Sequence, residues 1–257
     1  MDGQVRAKKK LGQHFLKNED IAQKIVESLT RTGEYKHVLE VGPGMGVLTK
    51  YLLQHSNYET HVIDIDTESI AYLKEHFPTL QKNIIEGDFL KLNLETLFDG
   101  PFAVIGNFPY NISTEILFTI LDHKNRVPEV VGMFQKEVAE RIAAKPKNKT
   151  YGITSVLLQA FYDIEYLFTV GEHEFNPPPR VKSAVIRLHR NDVQQLGCDE
   201  KKFKQIVKAG FNQRRKTLRN SIKAFRLKPK FAGHKYLTQR AEELSVADFV
   251  ALTNMTE

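Results

Sequence analysis

Short apolar segments alternate with helix-forming segments through the first two thirds of the chain. The apolar segments span residues 38–41, 60–65, 83–86, 102–105 and 130–134, and helical patterns lie between most of them. This alternation is typical of a doubly wound α/β domain with a largely parallel sheet. Ligands of such sheets bind at the carboxyl ends of the strands, so the residues directly after each strand form the candidate site.

The composition is that of a chain that folds without covalent cross-links. With 257 residues and 41% hydrophobic content, the chain can bury a full core, and its single cysteine, Cys198, cannot form an internal disulfide. Its first residues lack the apolar core of a signal peptide, and its apolar runs are far shorter than a membrane span. We therefore expect a cytoplasmic monomer with no membrane partner.

Positive charge is concentrated near the C-terminus. Residues 189–257 carry 15 Lys and Arg against 7 Asp and Glu, and residues 201–230 contain 12 basic residues and no acid. Such a run suits contacts with a phosphate backbone, although a solvated helix face is the alternative. Because strand-like alternation gives way to helix-forming sequence near Arg190, we predict a first domain over 1–190 and a small basic helical domain over 191–257.

A glycine-rich turn, VLEVGPGMGVLT, follows the first strand. Gly42, Gly44 and Gly46 are spaced G-x-G-x-G, whereas the position of the third glycine in a dinucleotide fingerprint is Val47. This departure disfavours a pyrophosphate cradle. Glu40 places a carboxylate beside the turn, where it would repel a phosphate and attract an ammonium group.

Acidic residues also follow the second and third strands. Asp64, directly after an apolar pair, can accept hydrogen bonds from both hydroxyls of a ribose, whereas Asp66 can instead cap the next helix. Asp88 can accept a bond from the amino group of an adenine, and Phe89 can lie against its ring. Together with the glycine turn, these residues indicate a ligand with an amino group, a ribose and an adenine but no pyrophosphate. We therefore predict S-adenosyl-L-methionine as the cofactor.

A fourth strand runs into the segment IGNFPYNIS, residues 105–113. One interpretation is a turn that starts the next helix, with Ser113 as its N-cap, since Asn and Pro are common in turns. The other is a substrate site built from an amide, a proline and an aromatic side chain.

Six ordered segments of the chain resemble the ribosomal RNA adenine N6,N6-dimethyltransferase family. They are KKLGQHFL, LEVGPGMGVLT, VIDID, EGDFL, GNFPYNIST and FNPPPRVKSAVIRL, and they cover roughly residues 8–190. The family dimethylates two neighbouring adenosines near the 3′ end of small-subunit ribosomal RNA. The resemblance implies a Rossmann-like class I methyltransferase domain, the cofactor S-adenosyl-L-methionine, and small-subunit (16S) ribosomal RNA in an immature 30S particle as the partner.

The resemblance also implies a set of cofactor contacts. An N-terminal segment would close over the cofactor, the glycine turn and Glu40 would line its methionine side, and the acids after the next two strands would hold its ribose and adenine. His14 is often Asn in the family, which implies a backbone or amide-like role. The implied residues are Gln13, His14, Phe15, Leu16, Glu40, Gly42, Gly44, Gly46, Asp64, Asp88, Phe89 and Asn107.

The catalytic residues implied by the resemblance lie in two motifs. The Asn107 side-chain oxygen and the Pro109 carbonyl would accept both hydrogens of adenine N6, and Tyr110 would stack on the extruded base. Phe108 stands where the family usually has an aliphatic residue, which affects local packing. Phe175 has two open interpretations, core packing and stacking on the opposite face of the target adenine.

The RNA-binding residues are predicted from two basic segments. One is the N-terminal lysine run, and the other is KAGFNQRRKTLRNSIK, in which helical spacing would place several cations on one face. The residues are Lys8, Lys9, Lys10, Arg214, Arg215, Lys216, Arg219 and Lys223. No metal is predicted, because His173 lies between two acids without a second ligand cluster nearby in sequence.

Three other functions stay open. The chain could be a large-subunit ribosomal RNA methyltransferase that confers antibiotic resistance, although LGQHFL and FNPPPRVKSAV argue against this. It could be a ribosome-assembly factor in which RNA binding matters more than catalysis. It could also be a methyltransferase-like transcription factor, although the intact N-x-P-Y motif favours an active enzyme.

Overall fold

The computed structural model describes residues 5–8 and 11–257. Its strands are β1 (Phe15–Leu16), β2 (His37–Val41), β3 (Glu59–Asp64), β4 (Ile84–Glu86), β5 (Phe102–Asn107), β6 (Glu129–Gln135), β7 (Tyr162–Val170), β8 (Phe175–Asn176) and β9 (Ser183–Arg190). Its α-helices are α1 (Glu19–Glu27), α2 (Thr49–Leu52), α3 (Thr67–His76), α4 (Ser113–Asp122), α5 (Lys136–Ala143), α6 (Ile153–Gln159), α7 (Glu200–Asn212), α8 (Leu218–Ser221) and α9 (Val246–Asn254).

A seven-stranded sheet organises the larger part of the molecule, in the order β4-β3-β2-β5-β6-β9-β7. The first five strands in this order, β4, β3, β2, β5 and β6, are parallel, and β9 pairs antiparallel with β6. The α/β fold with a largely parallel sheet is therefore confirmed. The chain leaves β2 toward β3 and β4 and then crosses to β5 on the other side. Such a reversal of direction opens a crevice at the carboxyl ends of the two central strands.

The central strands are apolar because helices cover both faces of a parallel sheet. Five residues of β2 and β5 have no exposed surface: Val38, Leu39, Ala103, Val104 and Ile105. A continuous apolar run of this kind is what a strand buried on both faces requires.

Local capping sets the start of the helix after β3. The Asp66 carboxylate accepts a hydrogen bond of 3.2 Å from the Glu68 N–H, as an N-cap does for α3. The prediction that Asp66 caps this helix is confirmed. The expected Ser113 cap is wrong, because Ser113 is the first residue of α4 itself and the cap position is Ile112, which makes no side-chain cap bond.

The chain divides into two compact units. One comprises the described residues up to Ala139 together with Glu165–Arg190, and the other comprises Glu140–Ile164 together with Asn191–Glu257. This grouping differs from a single division at residue 190, because the segment that contains α6 packs with the C-terminal helices. That packing unites residues far apart in sequence, which a scan along the chain does not detect.

The second unit has its own apolar core. Phe203 and Phe211 of α7 are buried, and the Phe211 ring contacts Phe249 of α9 and Tyr151 at centroid distances of 5.9 and 6.0 Å. Gly210 permits close packing, because a Cβ there would lie 3.3 Å from side-chain atoms of its neighbours. None of the helices in the described part of the chain is long and apolar enough to span a bilayer.

The basic segment after α7 does not continue as a helix. Helix α7 ends at Asn212, a turn follows, and α8 begins only at Leu218. The expected helical pattern, which would place several of the basic residues of this segment on one face, is therefore wrong. Those residues are Arg214, Arg215, Lys216, Arg219 and Lys223. At this turn Arg214 is held to the rest of the unit, with its Nε 2.7 Å from a Glu242 carboxylate oxygen.

Phe108 fits its position because two glycines lie beside it. Its ring is fully buried and contacts Phe134 edge to face at 5.2 Å. A Cβ on Gly132 would lie 2.4 Å from the Phe108 ring, and one on Gly106 would lie 2.5 Å from the Val41 carbonyl oxygen. The aromatic replacement of the family's aliphatic residue thus occupies space that the missing glycine side chains leave open.

We expect Gly132→Ala to destabilise the protein by about 1–3 kcal/mol, because the added methyl group overpacks the Phe108 ring and also lies 2.7 Å from the Phe134 ring. In a Phe108→Leu background the cost of the same change should be smaller, since the shorter side chain can yield. Urea unfolding of the two single variants and the double variant measures this coupling. Gly33→Ala is the matched control, because a Cβ at Gly33 meets no atom within 4 Å. Equal costs in both backgrounds would contradict the packing argument.

Candidate functional site

A cavity of about 210 Å³ lies at the carboxyl ends of β2, β3 and β5. A second cavity adjoins it and shares the lining residues Phe15, Gly42 and Asn107. Of the predicted site residues, the first cavity brings together Gln13, His14, Phe15, Gly42, Gly44, Asp64, Asp88, Asn107, Pro109 and Tyr110. The second is lined by Phe15, Leu16, Glu40, Gly42, Gly46 and Asn107.

The glycine turn needs glycine for both conformation and space. Gly44 has a φ of +56°, a backbone angle that residues with a side chain rarely adopt. A Cβ there would also lie 2.8 Å from the Phe15 ring. The ring of the N-terminal segment therefore lies directly on the turn. Because Phe15 lines both cavities, this contact lies at their boundary.

The two acids that end β3 have separate tasks. Asp64 is buried and accepts a hydrogen bond of 2.9 Å from the Asp66 N–H, and its burial raises its pKa. Asp66 faces the N-terminal segment, where Lys8 Nζ bonds its Oδ1 and Gln13 Nε2 donates to its Oδ2 at 3.1 Å. Burial opposes ionisation of Asp66, but these bonds lower its pKa. Asp64 is thus the acid that lines the cavity, and Asp66 anchors the segment above it.

Glu40 is the buried acid of the second cavity. Its side chain is almost fully buried on β2 and accepts a hydrogen bond of 2.5 Å from the Thr49 hydroxyl. Burial, together with repulsion from Asp64, raises the pKa of Glu40 to about 8. Its ionised form would therefore be stabilised by a cation in the cavity.

The apolar walls of the first cavity differ from the expectation. Phe89 is buried away from it, and Leu90 lines it instead, because Asp88 caps a short 3₁₀ helix by accepting a bond of 3.0 Å from the Leu90 N–H. Phe89 is therefore not among the cavity residues, contrary to its predicted place against a ligand ring, and Leu90 takes that place in the lining. Ile65, which sequence reasoning missed, is 56% exposed and lines the same cavity. A large apolar residue between two acids at the end of a strand, as in Asp64-Ile65-Asp66, is the sequence signal that could have revealed it.

The amide of Asn107 has a defined orientation at the end of β5. Its Nδ2 donates a hydrogen bond of 2.8 Å to the main-chain carbonyl of His14. The side-chain oxygen, which can only accept, therefore points away from that carbonyl. The Pro109 carbonyl accepts the Ile112 N–H at 3.1 Å, so one of its two lone pairs is already in use.

Tyr110 and His14 pack together beside this amide. Their rings stack at 5.5 Å with an interplanar angle of 27°, and the Tyr110 hydroxyl bonds the Ser183 hydroxyl. Burial raises the pKa of Tyr110. The His14 ring is held in turn by its Nδ1, which lies 2.8 Å from the Pro177 carbonyl oxygen.

Phe175 does not present a stacking surface. Its ring is 1% exposed and belongs to the hydrophobic core together with Leu16, whose backbone it pairs with in the β1–β8 ladder. The stacking interpretation is therefore corrected in favour of core packing. A groove that was not predicted from the sequence lies close by in the chain. It is lined by Pro177, Pro178, Pro179, Arg180 and Val181, together with His14, Tyr110 and Gln135.

The predicted RNA contacts separate into paired and exposed residues. Lys8 is paired with Asp66 and, at 3.0 Å, with Glu68, and its contact with RNA stays a prediction. Arg214 is paired with Glu242, and its Nη2 also donates to the Tyr151 carbonyl at 3.2 Å. The exposed residues are Arg215, Lys216, Lys223 and Arg219, the last of which donates to the Ala232 carbonyl at 3.3 Å. Lys9 and Lys10 lie outside the described residues.

The strand order and the paired cavities at the central strand ends define a Rossmann-like class I methyltransferase fold. A family model described as Ribosomal RNA adenine dimethylase matches residues 4–256. The chain therefore belongs to the ribosomal RNA adenine dimethylase family.

Similar proteins are found in several bacteria. The chain is 64% identical over 251 residues to Ribosomal RNA small subunit methyltransferase A of Cytophaga hutchinsonii, covering 98% of this chain and 97% of the relative. Proteins of the same name from Bacteroides thetaiotaomicron and Flavobacterium johnsoniae are 57% and 54% identical, each over 98% of this chain and over 95% and 97% of the relative.

Two solved structures share the fold. A dimethyladenosine transferase from Plasmodium falciparum superposes with a TM-score of 0.78 at 24% identity, covering 95% of this chain and 99% of that one. The 23S rRNA methyltransferase ErmE superposes with a TM-score of 0.68 at 22% identity, covering 93% and 99%. At these identities the likeness concerns the fold alone.

The raised pKa of Glu40 predicts a pH-dependent stability. The folded protein holds a proton on Glu40 up to about pH 8, whereas the unfolded chain releases it near the ordinary value of 4.5. Unfolding therefore becomes easier as the pH rises through this window. Glu40→Gln should remove this contribution, at most about 1.4 kcal/mol per pH unit.

Chemical denaturation between pH 5 and pH 8, which lies between the pKa values of Glu40 in the unfolded and folded states, measures the effect. The variant should gain stability relative to the wild type as the pH rises. Glu75→Gln, the same change at an exposed residue, is the control and should leave the pH dependence as it is. Parallel pH profiles for the wild type and Glu40→Gln would refute the assignment.

Proposed function

We propose that this protein transfers methyl groups from S-adenosyl-L-methionine to N6 of two adjacent adenosines near the 3′ end of small-subunit (16S) ribosomal RNA. The product is N6,N6-dimethyladenosine, formed in an immature 30S particle. The observation that carries this proposal is the Asn107 amide, which is fixed by its bond to His14 where the two cavities meet. Family membership supports the choice of RNA.

The residues of the two cavities fit this cofactor. Asp64 would accept bonds from the ribose hydroxyls, and Ile65 and Leu90 offer apolar surface for the adenine ring in the first cavity. Glu40 would face the ammonium group in the second cavity, where a cation would favour its ionised form. When bound, the cofactor supplies an electrophilic methyl group on a sulfonium centre.

The main task of Asn107 is to hold the target amine. The N6 lone pair of adenine is delocalised into the ring, so the amine must be oriented and made more tetrahedral before it can attack. The Asn107 side-chain oxygen would accept one N6 hydrogen, and a main-chain carbonyl of the same turn would accept the other. The Phe108 carbonyl is the better candidate for this second bond, because the Pro109 carbonyl already accepts the Ile112 N–H.

The target adenine must leave its helix to reach this turn, at a cost of a few kcal/mol. We propose that it enters through the groove lined by Pro177–Pro179 and Arg180 and stacks on the Tyr110 face opposite His14. Tyr110 lines both this groove and the first cavity, so a base stacked there would lie beside Asn107. The methylated amine becomes acidic and can release its proton to water, so no general base is required.

Contacts with the RNA backbone would come from the exposed cations of the second unit. Arg215, Lys216 and Lys223 are exposed, whereas Arg214 holds the turn that carries two of them. The turn therefore presents adjacent cations at the surface, as phosphate contacts require.

We expect Asn107→Ala to lower the single-turnover methylation rate by roughly 10²- to 10³-fold, because the variant lacks a preorganised acceptor for the developing charge. Affinities for cofactor and RNA should change far less than the rate, since the amide acts mainly in the transition state and its bond to the His14 carbonyl is one of several contacts that hold the N-terminal segment. Asn107→Asp should also be slow, because its charge would stabilise the sulfonium before reaction. The assay compares two substrates, small-subunit particles and large-subunit RNA.

Asp64→Ala is the comparison that separates binding from chemistry. Removal of its hydrogen bonds to the ribose should weaken cofactor affinity by about 1.5–3 kcal/mol in calorimetry. Asp163→Ala, a change of an exposed carboxylate, should have no effect. If both Asn107 variants methylated at the wild-type rate, or if only large-subunit RNA were methylated, the proposal would fail.

The RNA surface is tested by the double change Arg215→Glu and Lys216→Glu. RNA affinity should fall, and the slope of log affinity against log salt should flatten by about 0.9 for each phosphate that the variant no longer neutralises. Lys74→Glu with Lys82→Glu changes the net charge equally at exposed sites of the other unit and is the matched control. Equal salt slopes for the two double variants would mean that the basic turn is only a solvated surface.

A further inference from the structure

Three potential metal ligands meet at the amino ends of β2 and β3, at the opposite end of these strands from the cavities. His37 is the first residue of β2 and Glu59 is the first residue of β3, and the parallel register pairs them directly. His61 lies two residues after Glu59, so its side chain is on the same face of β3. The three ligand atoms lie within 4.8 Å of one another.

The distances in this cluster match one face of a zinc tetrahedron. His37 Nδ1 lies 3.1 Å from His61 Nε2, and one Glu59 oxygen, Oε2, lies 3.5 Å from the first nitrogen and 3.6 Å from the second. With zinc–ligand bonds of about 2.0–2.1 Å, tetrahedral geometry separates two ligand atoms by about 3.3–3.4 Å. An ion could therefore contact all three atoms with small adjustments.

A hydrogen bond between the two imidazoles explains only part of this arrangement. One ring can donate to the other across 3.1 Å, but the Glu59 oxygen is then too distant for a good bond to either nitrogen. Its nearly equal distance from both rings is the placement that a shared central cation would produce.

Neighbouring side chains orient the ligands. Asn83 Nδ2 donates 3.0 Å bonds to Glu59 Oε1 and to the Thr60 carbonyl, which leaves Glu59 Oε2 on the side of the histidines. The Phe98 ring packs on the His37 ring at 4.6 Å and on the His61 ring at 4.5 Å. Such outer contacts fix ligand orientation in metal sites.

The cluster is buried on one side and open on the other. The side chains of His61 and His37 are 12% and 19% exposed, whereas that of Glu59 is 56% exposed. An ion could thus enter past the carboxylate, and water could supply a fourth ligand.

We propose that His37, Glu59 and His61 bind one divalent transition-metal ion, zinc being the best match, which fastens β2 to β3. This site goes beyond the methylation proposed above, because it lies at the strand ends that face away from the cavities. The expectation of no metal rested on His173 alone. His37 and His61 are 24 positions apart, and only the sheet register brings them together.

Zinc titration of the chelator-stripped full chain tests this site. The wild type should bind one zinc ion per chain, and saturation should raise its melting temperature. His37→Gln with His61→Gln should weaken binding by more than roughly 100-fold, and Asn83→Ala should weaken it by roughly 10- to 100-fold through the orientation of Glu59. Cobalt substitution should give the visible absorption of a tetrahedral site in the wild type and not in the double variant.

His123→Gln is the control, because His123 makes an ordinary pair with Glu95 at 2.8 Å and should not affect zinc binding. Circular dichroism and S-adenosyl-L-methionine affinity report whether each variant is folded. Absence of stoichiometric zinc binding by the wild type would overturn the proposal, and so would equal binding by the folded double variant. Neither outcome bears on the methylation test, which uses different residues.

Discussion

The parallel pairing of β2 with β5 is the constraint on which the candidate site depends. The register pairs Leu39 with Val104 and Glu40 with Ile105, so the two strands end side by side. Gly106 allows the close approach, since any Cβ there would meet the Val41 carbonyl. The glycine turn after β2 and the Asn107 amide after β5 are consequently neighbours. A shift of register by one residue would turn these side chains to the other face of the sheet and separate them.

The N-terminal segment completes the site through polar contacts with the same strand ends. The His14 carbonyl accepts the Asn107 amide, Gln13 donates to Asp66, and Phe15 packs on Gly44. Each contact uses a group whose position the sheet already determines. The segment therefore orients the amide and encloses both cavities at once, and a change in it would affect binding and chemistry together.

The features that sequence predicted are those encoded by short segments, such as the α/β sheet, the strand-end acid Asp64 and the helix cap Asp66. Features set by tertiary contacts were harder to predict from the sequence. Charge counting cannot reveal that Arg214 is paired with Glu242, 28 positions away. The core position of Phe175 depends on the β1–β8 ladder, and the assignment of α6 to the second unit depends on contacts with C-terminal helices. In each case the local sequence is compatible with two environments, and tertiary contacts decide between them.

The two buried acids show how stability and ligand recognition oppose each other here. Burial raises the pKa values of both Glu40 and Asp64, and repulsion between the two contributes to the shift of Glu40. Without a ligand, ionising both groups therefore costs stability. A ligand with a cationic group and donor hydroxyls would offset that cost by pairing with the ionised forms. Selection for stability alone would favour neutral residues at these positions, so their presence is best explained by the ligand that they are placed to hold.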